Sequence, residues 1–314
     1  MRIVFMGTPT FAVPSLRALM EAGYDVVAVV SQPDRPKGRK KVLTAPPLKE
    51  AALELGLPVI QPERMRSEEA VAEVASYKPD LIITAAYGQI LPKAILDLPK
   101  HGCINVHGSL LPRYRGGAPI QRSIINGEAE TGVTIMYMAV GLDTGDMLSR
   151  VALPITDEDT SGTMFDKLSV AGAQLLIETL PPLLAGELPA VAQNEAEATY
   201  ASNLTREDER IDWTQSARAI FNQVRGLSPM AGAFTYLNNE PFKIWTCTPL
   251  SSHAAAAAGT IIAATAEGIT VQTGDGQLLL TQVQPAGKRM MDVADWLQGA
   301  RAIIGVELVS AVRE

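Results

Sequence analysis

The chain is poor in the residues that build disulfide frameworks and metal centres. Its 314 residues include only two cysteines, Cys103 and Cys247, and three histidines, His101, His107 and His253. Because the cysteines lie far apart and in different predicted domains, we expect neither a disulfide nor a thiolate metal site. No HxxxH or CxxC spacing occurs, so we expect no structural or catalytic metal ion. Any imidazole chemistry is restricted to these few histidines.

Long apolar runs and a secretion signal are also lacking. No apolar run reaches the roughly 20 residues that cross a bilayer as a helix. The first residues, MRIVFMG, begin a strand pattern directly, without a basic stretch followed by a cleavage site. We therefore expect a cytoplasmic protein with no membrane partner. Hydrophobic residues, at 47%, are ample for buried cores.

The net charge of −7 argues against a nucleic-acid partner, but it hides one basic segment. The segment 34–41, DRPKGRKK, has a single acidic residue and the basic residues Arg35, Lys37, Arg39, Lys40 and Lys41. Most charge runs are solvated loops. The functional alternative is a mobile arm that reaches the phosphates or an end of an RNA. Pro and Gly at 33, 36 and 38 predict irregular backbone and exclude a stable helix.

The N-terminal half alternates strand and helix patterns. Strands are predicted over 2–6, 25–30 and 81–85, and helices over 13–22 and 67–76. This alternation predicts a Rossmann-like, doubly wound α/β domain. The first turn, GTPTFAVP, lacks the GxGxxG fingerprint, so we expect no dinucleotide site.

A change in composition marks the boundary to a second domain. A helical stretch over about 163–184 leads into AGELPAVAQNEAEAT, which has no periodicity and is typical of a linker. After a short helix around 215–226, several short strands alternate with turn signals such as Asn238-Asn239, which predicts a small barrel. We therefore predict a first domain over 1–188, a linker over 189–207, and a second, β-barrel domain over 208–314.

One motif, CINVHGSLLPRYRGGAPI at 103–120, places two polar side chains at a predicted strand end. The apolar run from Cys103 to Val106 predicts a short buried strand, and the Gly/Pro-rich residues after it predict a loop. Ligands bind at this edge of open α/β sheets. Strand alternation puts Asn105 and His107 on one face. A lone histidine on an apolar segment is more often a hydrogen-bonded core residue, but the carboxamide beside it favours a shared crevice.

A second motif, GLDTGD at 141–146, contains Asp143 between two glycines. An aspartate in such a place is often only a turn former. The run from Val133 to Val140 before it is apolar, and it predicts a buried strand that leads to Asp143. If this strand is a neighbour of the one ending at His107, the carboxylate can orient the imidazole and favour its charged form.

Together the motifs resemble the family of folate-dependent formyltransferases. The stretch NVHGSLLPRYRGGAPIQ with GLDTGD is similar to the formyltransferase domain of that family, and SLLP matches its folate signature. The resemblance begins at MRIVFMGTP, includes SQPDRPKGR and AAYGQILP, and covers most of the chain. It is strongest toward those members that act on initiator methionyl-tRNA.

The resemblance implies a reaction and a set of site residues. The formyl group of 10-formyltetrahydrofolate, a co-substrate, would pass to the α-amino group of initiator methionyl-tRNA, giving formylmethionyl-tRNA for translation initiation, with no stable protein partner. The resemblance also makes the second domain an OB-like barrel that binds tRNA. It implies that Arg39 reaches the acceptor end of the tRNA. The implied catalytic residues are Asn105, His107 and Asp143, and the implied folate-site residues are Ser109, Leu110, Leu111 and Pro112.

Three alternatives share parts of this pattern. Another formyltransferase of the family would act on a small amine such as glycinamide ribonucleotide, but it has no evident use for the basic segment or the barrel. A hydrolase of formyltetrahydrofolate would use water as the nucleophile. A non-catalytic RNA-binding protein on an inherited fold would not need an intact Asn105, His107 and Asp143. The sequence leaves open which proton His107 transfers, and how the methionyl side chain and the acceptor stem are recognised.

Overall fold

The computed structural model describes residues 1–38, 40–300 and 303–311, in which the chain forms two compact units. The first unit consists of Met1–Pro119, Glu130–Pro154 and Phe165–Ser202, and the second of Ile120–Ala129, Ile155–Met164 and Asn203–Glu314. The two units therefore alternate along the chain. The boundaries expected from the sequence assume two consecutive domains, and they stay a prediction.

The first unit is built on a mixed sheet. The strands in this part of the chain are β1 (Arg2–Gly7), β2 (Asp25–Val30), β3 (Arg35–Lys37), β4 (Val42–Thr44), β5 (Val59–Ile60), β6 (Leu81–Ala85), β7 (Cys103–His107), β8 (Glu130–Tyr137) and β9 (Met147–Pro154). The main sheet has the order β5-β2-β1-β6-β7-β8-β9. From β5 to β7 the neighbours in this order are parallel, and β8 and β9 are antiparallel to their neighbours.

Helices connect these strands. They are α1 (Val13–Glu21), α2 (Pro47–Glu54), α3 (Glu68–Ser76), α4 (Lys93–Leu96), α5 (Pro119–Ile125) and α6 (Ser161–Ala185). The strands predicted over 2–6, 25–30 and 81–85 and the helices predicted over 13–22 and 67–76 are confirmed to within one residue at each end. β6 is buried throughout, as expected for a parallel strand covered on both faces. The carboxyl ends of β1, β6 and β7 meet at one edge of the sheet, where open α/β sheets bind ligands.

Helix α6 is long and apolar enough to cross a membrane by length and composition, contrary to the expectation from the sequence. Several of its apolar side chains, however, are buried within the first unit. Phe165 contacts Phe11 edge to face, with ring centroids 5.4 Å apart, and Gly172 lies against Val106 and Val133 of the sheet. A core helix of a soluble protein has the same composition, so α6 is only weak evidence for a membrane span.

The second unit contains an antiparallel sheet and short helices. Its strands are β10 (Ala233–Leu237), β11 (Glu240–Leu250), β12 (Ile261–Thr265), β13 (Gly268–Gln272), β14 (Gln277–Pro285) and β15 (Met291–Asp292), and the helices from residue 203 onward are α7 (Arg206–Glu209), α8 (Ala217–Leu227) and α9 (Val293–Leu297). The sheet order is β10-β11-β14-β13-β12, and β15 pairs with β14. The predicted turn between β10 and β11 is confirmed, because Asn238 and Asn239 have φ angles of 52° and 64°.

Candidate active site

Strand β7 places Asn105 beside a hydroxyl of the neighbouring strand. The Thr84 hydroxyl, on the register partner in β6, donates a hydrogen bond of 2.7 Å to Asn105 Oδ1. Within residues 1–38, 40–300 and 303–311, no group accepts a hydrogen bond from Asn105 Nδ2. Because Thr84 fixes the amide oxygen, the amide nitrogen is left as a donor for a ligand.

His107, two residues along β7, is held by a backbone carbonyl. Its Nε2 lies 3.1 Å from the carbonyl oxygen of Tyr114. A carbonyl can only accept, so Nε2 carries a hydrogen in this arrangement. Nδ1 faces Asp143, 3.7 Å from Oδ2, which is longer than a hydrogen bond. The Tyr114 carbonyl therefore fixes the tautomer, and Nδ1 is the nitrogen left to exchange a proton.

The strand before Asp143 ends earlier than predicted. β8 pairs with β7 in antiparallel register, with Thr134 opposite His107, so the expected neighbour relation is confirmed. The strand ends at Tyr137 rather than near Val140, whose side chain is 79% exposed. The apolar residues after Tyr137 therefore belong to the loop and not to a buried strand.

The loop from 138 to 146 turns back onto the strand it leaves. The Tyr137 N–H donates to the Asp146 carbonyl at 2.9 Å, and a Cβ on Gly145 would lie 1.8 Å from the Tyr137 oxygen, so only glycine fits there. Asp143 has a φ of 50°, a left-handed conformation that is uncommon outside glycine and concentrates at functional sites. Its Oδ2 accepts a hydrogen bond of 2.8 Å from the Gly116 N–H. The carboxylate is thereby oriented beside the imidazole.

These side chains offer the groups that acyl transfer to an amine requires. An amide N–H can stabilise an oxyanion, and an imidazole can take up or release a proton. A carboxylate near Nδ1 stabilises the imidazolium that forms when the proton is taken up. The structure therefore brings Asn105, His107 and Asp143 together as predicted in space, while their catalytic roles stay a prediction.

The segment Ser109–Pro112, predicted to line a folate site, is mostly buried. The Ser109 hydroxyl donates to the Arg113 carbonyl at 2.7 Å, and the Ser109 carbonyl accepts from the Thr134 hydroxyl at 2.7 Å. Leu111 and Pro112 are buried, and the half-buried Leu110 lies against β8. In this structure the segment shapes the loop after β7, and its contact with folate stays a prediction.

The basic segment 34–41 is more regular than predicted. Instead of irregular backbone throughout, β3 and β4 pair as an antiparallel hairpin, with Arg35 opposite Thr44 and Lys37 opposite Val42. Pro36 is tolerated because β4 is the one strand of the described residues that pairs with β3, so β3 is an edge strand. Arg35 forms an ion pair of 2.8 Å with Glu63. The expectation that no helix forms is confirmed for the described residues of this segment.

The other basic residues of the hairpin extend into solvent. Lys37, Lys40 and Lys41 are exposed, and no ion pair joins them to a residue that the structure describes. Arg39, the residue that the resemblance singles out, lies outside the described residues. At the base of the hairpin, hydrogen bonds from Gln61 and Lys49 lower the pKa of Asp34. The carboxylate therefore stays charged and ties the hairpin base to α2 and to the end of β5.

Several groups that complete the site were not predicted. The Thr84 hydroxyl, the Tyr114 carbonyl and the Gly116 N–H each contact one of the three predicted side chains. Gln193 holds the Asp143 loop through two backbone carbonyls. Two of these four groups, the Tyr114 carbonyl and the Gly116 N–H, belong to the backbone, and Gln193 lies 50 residues from Asp143, so no local sequence pattern signals them.

The remaining cysteines and histidines form no metal centre in the described part of the chain, where no group of three or more His, Cys, Asp or Glu could hold an ion. Cys103 and Cys247 are free and buried, and burial raises the pKa of Cys103 to about 12, so its thiol is neutral. His101 lies in a turn and His253 in an exposed loop. The expectation that the chain binds no metal stays a prediction.

Two family models match successive parts of the sequence. Residues 1–180 match the model described as formyl transferase, and residues 203–301 match the formyl transferase C-terminal domain. The chain belongs to the formyl transferase family. It is 55% identical to a protein of Bacillus subtilis named methionyl-tRNA formyltransferase, over 97% of this chain and 96% of that protein. A protein of the same name from Halalkalibacterium halodurans is 54% identical over 98% and 97% of the two chains.

Solved structures share the fold at lower identity. The sugar 3N-formyl transferase WlaRD, determined in the presence of dTDP and 5-N-formyl-THF, has a TM-score of 0.69 at 19% identity, covering 92% of this chain and 99% of that one. HypX from Aquifex aeolicus, determined in complex with tetrahydrofolic acid, has a TM-score of 0.65 at 18% identity, covering 95% of this chain and 47% of that one. At these identities the likeness shows the fold alone.

Proposed function

We propose that this protein transfers the formyl group of 10-formyltetrahydrofolate to the α-amino group of initiator methionyl-tRNA. The amine nitrogen forms a bond to the formyl carbon, and the bond from that carbon to the folate nitrogen breaks. One proton leaves the attacking nitrogen and one is taken up by the leaving nitrogen. The products are formylmethionyl-tRNA and tetrahydrofolate, for use in translation initiation.

The observation that carries this proposal is the donor left open at Asn105. Its Oδ1 is fixed by Thr84 while its Nδ2 has no acceptor in the described residues. Such a donor stabilises the oxyanion that develops on the formyl oxygen as the amine attacks. The relatives of more than 50% identity, named for formylation of methionyl-tRNA, support the same reaction.

The proton transfer falls to His107. Its Nε2 is occupied by the Tyr114 carbonyl, so Nδ1 takes the proton from the amine or delivers one to the folate nitrogen. In either role Asp143, which lies 3.7 Å from Nδ1, stabilises the imidazolium that exists while Nδ1 carries the proton. A distance of this size in the absence of substrates is compatible with a hydrogen bond that forms in the reacting complex.

Folate occupies the edge of the main sheet beside the catalytic trio of Asn105, His107 and Asp143. Ser109 to Pro112 form the wall of that site, and they act through the shape of the loop because three of the four side chains are buried. The solved relatives determined with tetrahydrofolic acid or 5-N-formyl-THF support a folate at this fold. The co-substrate requires no metal ion.

Two exposed basic surfaces contact the tRNA. The first is the β3–β4 hairpin, where Arg35, Lys37, Lys40 and Lys41 are exposed; Arg39, which is expected to act with them, lies outside the described residues. The second is the loop between β14 and β15, where Lys288 and Arg289 are exposed and make no ion pair with a described residue. Two other described basic residues of the second unit already form ion pairs: Arg210 is paired with Glu207, and Arg218 with Asp157 at 2.7 Å.

The second unit is an OB-like tRNA-binding domain. Residues near its C-terminus bridge both edge strands, since Val309 pairs with Tyr236 of β10 and Glu307 with Thr260 next to β12. These bridges support a barrel-like arrangement of the sheet. OB-like barrels often bind nucleic acids, which fits this role. The protein acts in the cytoplasm as a soluble translation enzyme without a membrane partner.

The test is incubation of the full chain with labelled formyl donor and three acceptors. They are initiator methionyl-tRNA, elongator methionyl-tRNA and glycinamide ribonucleotide, and His107→Ala serves as the inactive control. We expect label on initiator methionyl-tRNA only. Label on glycinamide ribonucleotide would identify a small-amine formyltransferase, folate turnover without any acceptor would identify a hydrolase, and tRNA binding without turnover would identify an RNA-binding protein.

Binding of initiator methionyl-tRNA by a Lys288→Ala/Arg289→Ala variant tests the second surface. Lys78→Ala, which removes an exposed lysine of the first unit, is the control. We expect weaker binding and a smaller salt dependence for the double variant only, because each lost phosphate contact reduces counterion release. Unchanged binding would remove this loop from the interface.

A further inference from the structure

The segment 193–201, which lies in the linker predicted over 189–207, is bound tightly to the loops that carry the active site. Gln193 Nε2 donates to the carbonyl oxygens of Asp143 at 2.8 Å and of Gly145 at 2.7 Å. Both carbonyls flank the turn in which Asp143 has its left-handed φ. One side-chain amide therefore fixes the backbone on which the carboxylate is mounted.

The orientation of the Gln193 amide is itself fixed. Its Oε1 accepts a hydrogen bond of 3.0 Å from Arg115 Nε, and Arg115 is fully buried. The two terminal nitrogens of this guanidinium donate to the Glu195 carboxylate at 3.0 and 2.8 Å. The hydrogen bond from Arg115 lowers the pKa of Glu195, so the carboxylate stays charged. A planar guanidinium that donates two hydrogen bonds to one carboxylate is a rigid support. It leaves the Gln193 amide one orientation in which both its oxygen and its nitrogen form hydrogen bonds.

The same segment holds the second loop of the site. The Arg115 N–H donates to the Thr199 carbonyl at 2.8 Å, and the Tyr114 N–H donates to the Thr199 hydroxyl at 2.9 Å. Gly116 packs on the segment so closely that a Cβ would lie 2.7 Å from the Ala201 oxygen. Tyr114 supplies the carbonyl that binds the His107 imidazole, and Gly116 supplies the N–H that binds the Asp143 carboxylate.

We propose that Gln193 is a positioning residue for the transferase reaction, because its hydrogen bonds to the backbone of the Asp143 loop hold the Asp143 carboxylate beside His107 Nδ1. This inference rests on the proposed roles of Asp143 and His107. Gln193 contacts neither of the two side chains directly; it acts through the backbone of residues 143 and 145. Its loss should therefore lower the rate of the chemical step and leave substrate affinity nearly unchanged.

The experiment compares Gln193→Ala and Gln193→Glu with Glu197→Gln in the full chain. Gln193→Glu keeps the size but replaces the donor with an acceptor that faces two carbonyls. Glu197 lies in the same segment and its side chain accepts from the exposed Asn194, so Glu197→Gln is the matched control. We expect kcat to fall about 10- to 100-fold in both Gln193 variants with KM values within about twofold of wild type, since a misplacement of about 1 Å can cost about 100-fold.

Coupling to Asp143 separates positioning from a general structural role. In an Asp143→Asn background, Gln193→Ala should cost less than about twofold, because the carboxylate that it positions is already absent. A full additional loss in that background would show that Gln193 acts on something else and would overturn the inference. Wild-type kcat in both Gln193 variants would overturn it as well.

A second measurement, amide hydrogen exchange, tests the inference independently of turnover. Amide hydrogen exchange at Gly116, whose N–H binds the Asp143 carboxylate, should be at least about tenfold faster in Gln193→Ala and unchanged in Glu197→Gln. Unchanged protection in Gln193→Ala contradicts the inference whatever the acceptor is. The kinetic comparison uses whichever acceptor the wild-type chain formylates, so an acceptor other than methionyl-tRNA overturns the proposed substrate and leaves the positioning role standing.

Discussion

Replacing Asn105 with alanine tests the single donor on which the proposed reaction depends. The change removes Nδ2, for which the described residues provide no acceptor, and leaves β7 and its backbone hydrogen bonds in place. Loss of one oxyanion donor costs about 2.7–4 kcal/mol in transition-state stabilisation. At about 1.36 kcal/mol per factor of ten, we expect kcat to fall about 100- to 1000-fold. KM for both substrates should change little, because the donor acts mainly in the transition state.

A second variant, Thr84→Val, separates orientation of the donor from its presence. The Thr84 hydroxyl holds Asn105 Oδ1 at 2.7 Å, and its loss removes one hydrogen bond worth about 1 kcal/mol. We expect about a fivefold loss of kcat from this change. In an Asn105→Ala background the same change should have almost no effect on kcat, since there is no amide left to orient.

The assay is single-turnover formylation of initiator methionyl-tRNA with labelled 10-formyltetrahydrofolate. Thermal unfolding of each variant is the control for folding, because Thr84 is 2% exposed and a valine there changes a buried position. A kcat for Asn105→Ala within about threefold of wild type would refute the oxyanion role. Equal losses from Thr84→Val in both backgrounds would assign Thr84 a structural role only.

Three further outcomes follow from the site, the hairpin and the second unit. Asp143→Asn should lower kcat, because a neutral amide no longer stabilises the positive charge that forms on His107 during proton transfer; a wild-type kcat would leave Asp143 as a turn residue. Arg39→Leu should strongly reduce formylation of initiator methionyl-tRNA and the salt dependence of tRNA binding, while folate binding stays unchanged. Lys93→Leu is the control. If neither activity nor salt dependence changes, the hairpin is a solvated loop. Asp208→Asn should destabilise the chain by about 2 kcal/mol at neutral pH, because bonds from Arg122 and Thr205 lower the pKa of Asp208 from 3.8 to about 2. This stabilisation is present above pH 4 and lost as the pH falls through about 2, so equal denaturation midpoints of the two proteins at pH 7 would contradict it.

The sequence predicts the central strands and the trio because both depend on local patterns. β6 is a short run of buried and mostly apolar residues, and strand alternation alone places Asn105 and His107 on one face. Asp143 was predicted from its glycine-flanked motif and from the apolar run that precedes it. The end of β8 was predicted too far along the chain, because Val140 is apolar yet exposed. Apolar composition does not distinguish a loop residue near a ligand site from a strand residue.

The groups that support the trio could not be predicted for a physical reason. Tyr114 and Gly116 act through the backbone, which every residue possesses, and Gln193 acts across 50 residues of chain. The segment around Gln193 has the composition of a linker, since it lacks an apolar period, but hydrogen bonds rather than apolar burial attach it to the first unit. The hairpin was missed because each of its strands has only three residues and one contains a proline.

The alternation of the two units along the chain has a consequence for synthesis on the ribosome. The second unit uses 120–129 and 155–164 together with residues from 203 onward, and within it Ile125 of α5 packs on Gly226 while Arg122 bonds Asp208. At about 5–20 residues per second, these early segments leave the ribosome roughly 10–40 s before the last of their partners is made. Chains that stop near residue 202 would contain the trio and Gln193 but would expose the apolar side chains of α5. Such nascent or truncated chains should be recognised by chaperones and proteases, and activity should appear only once the whole chain has been released.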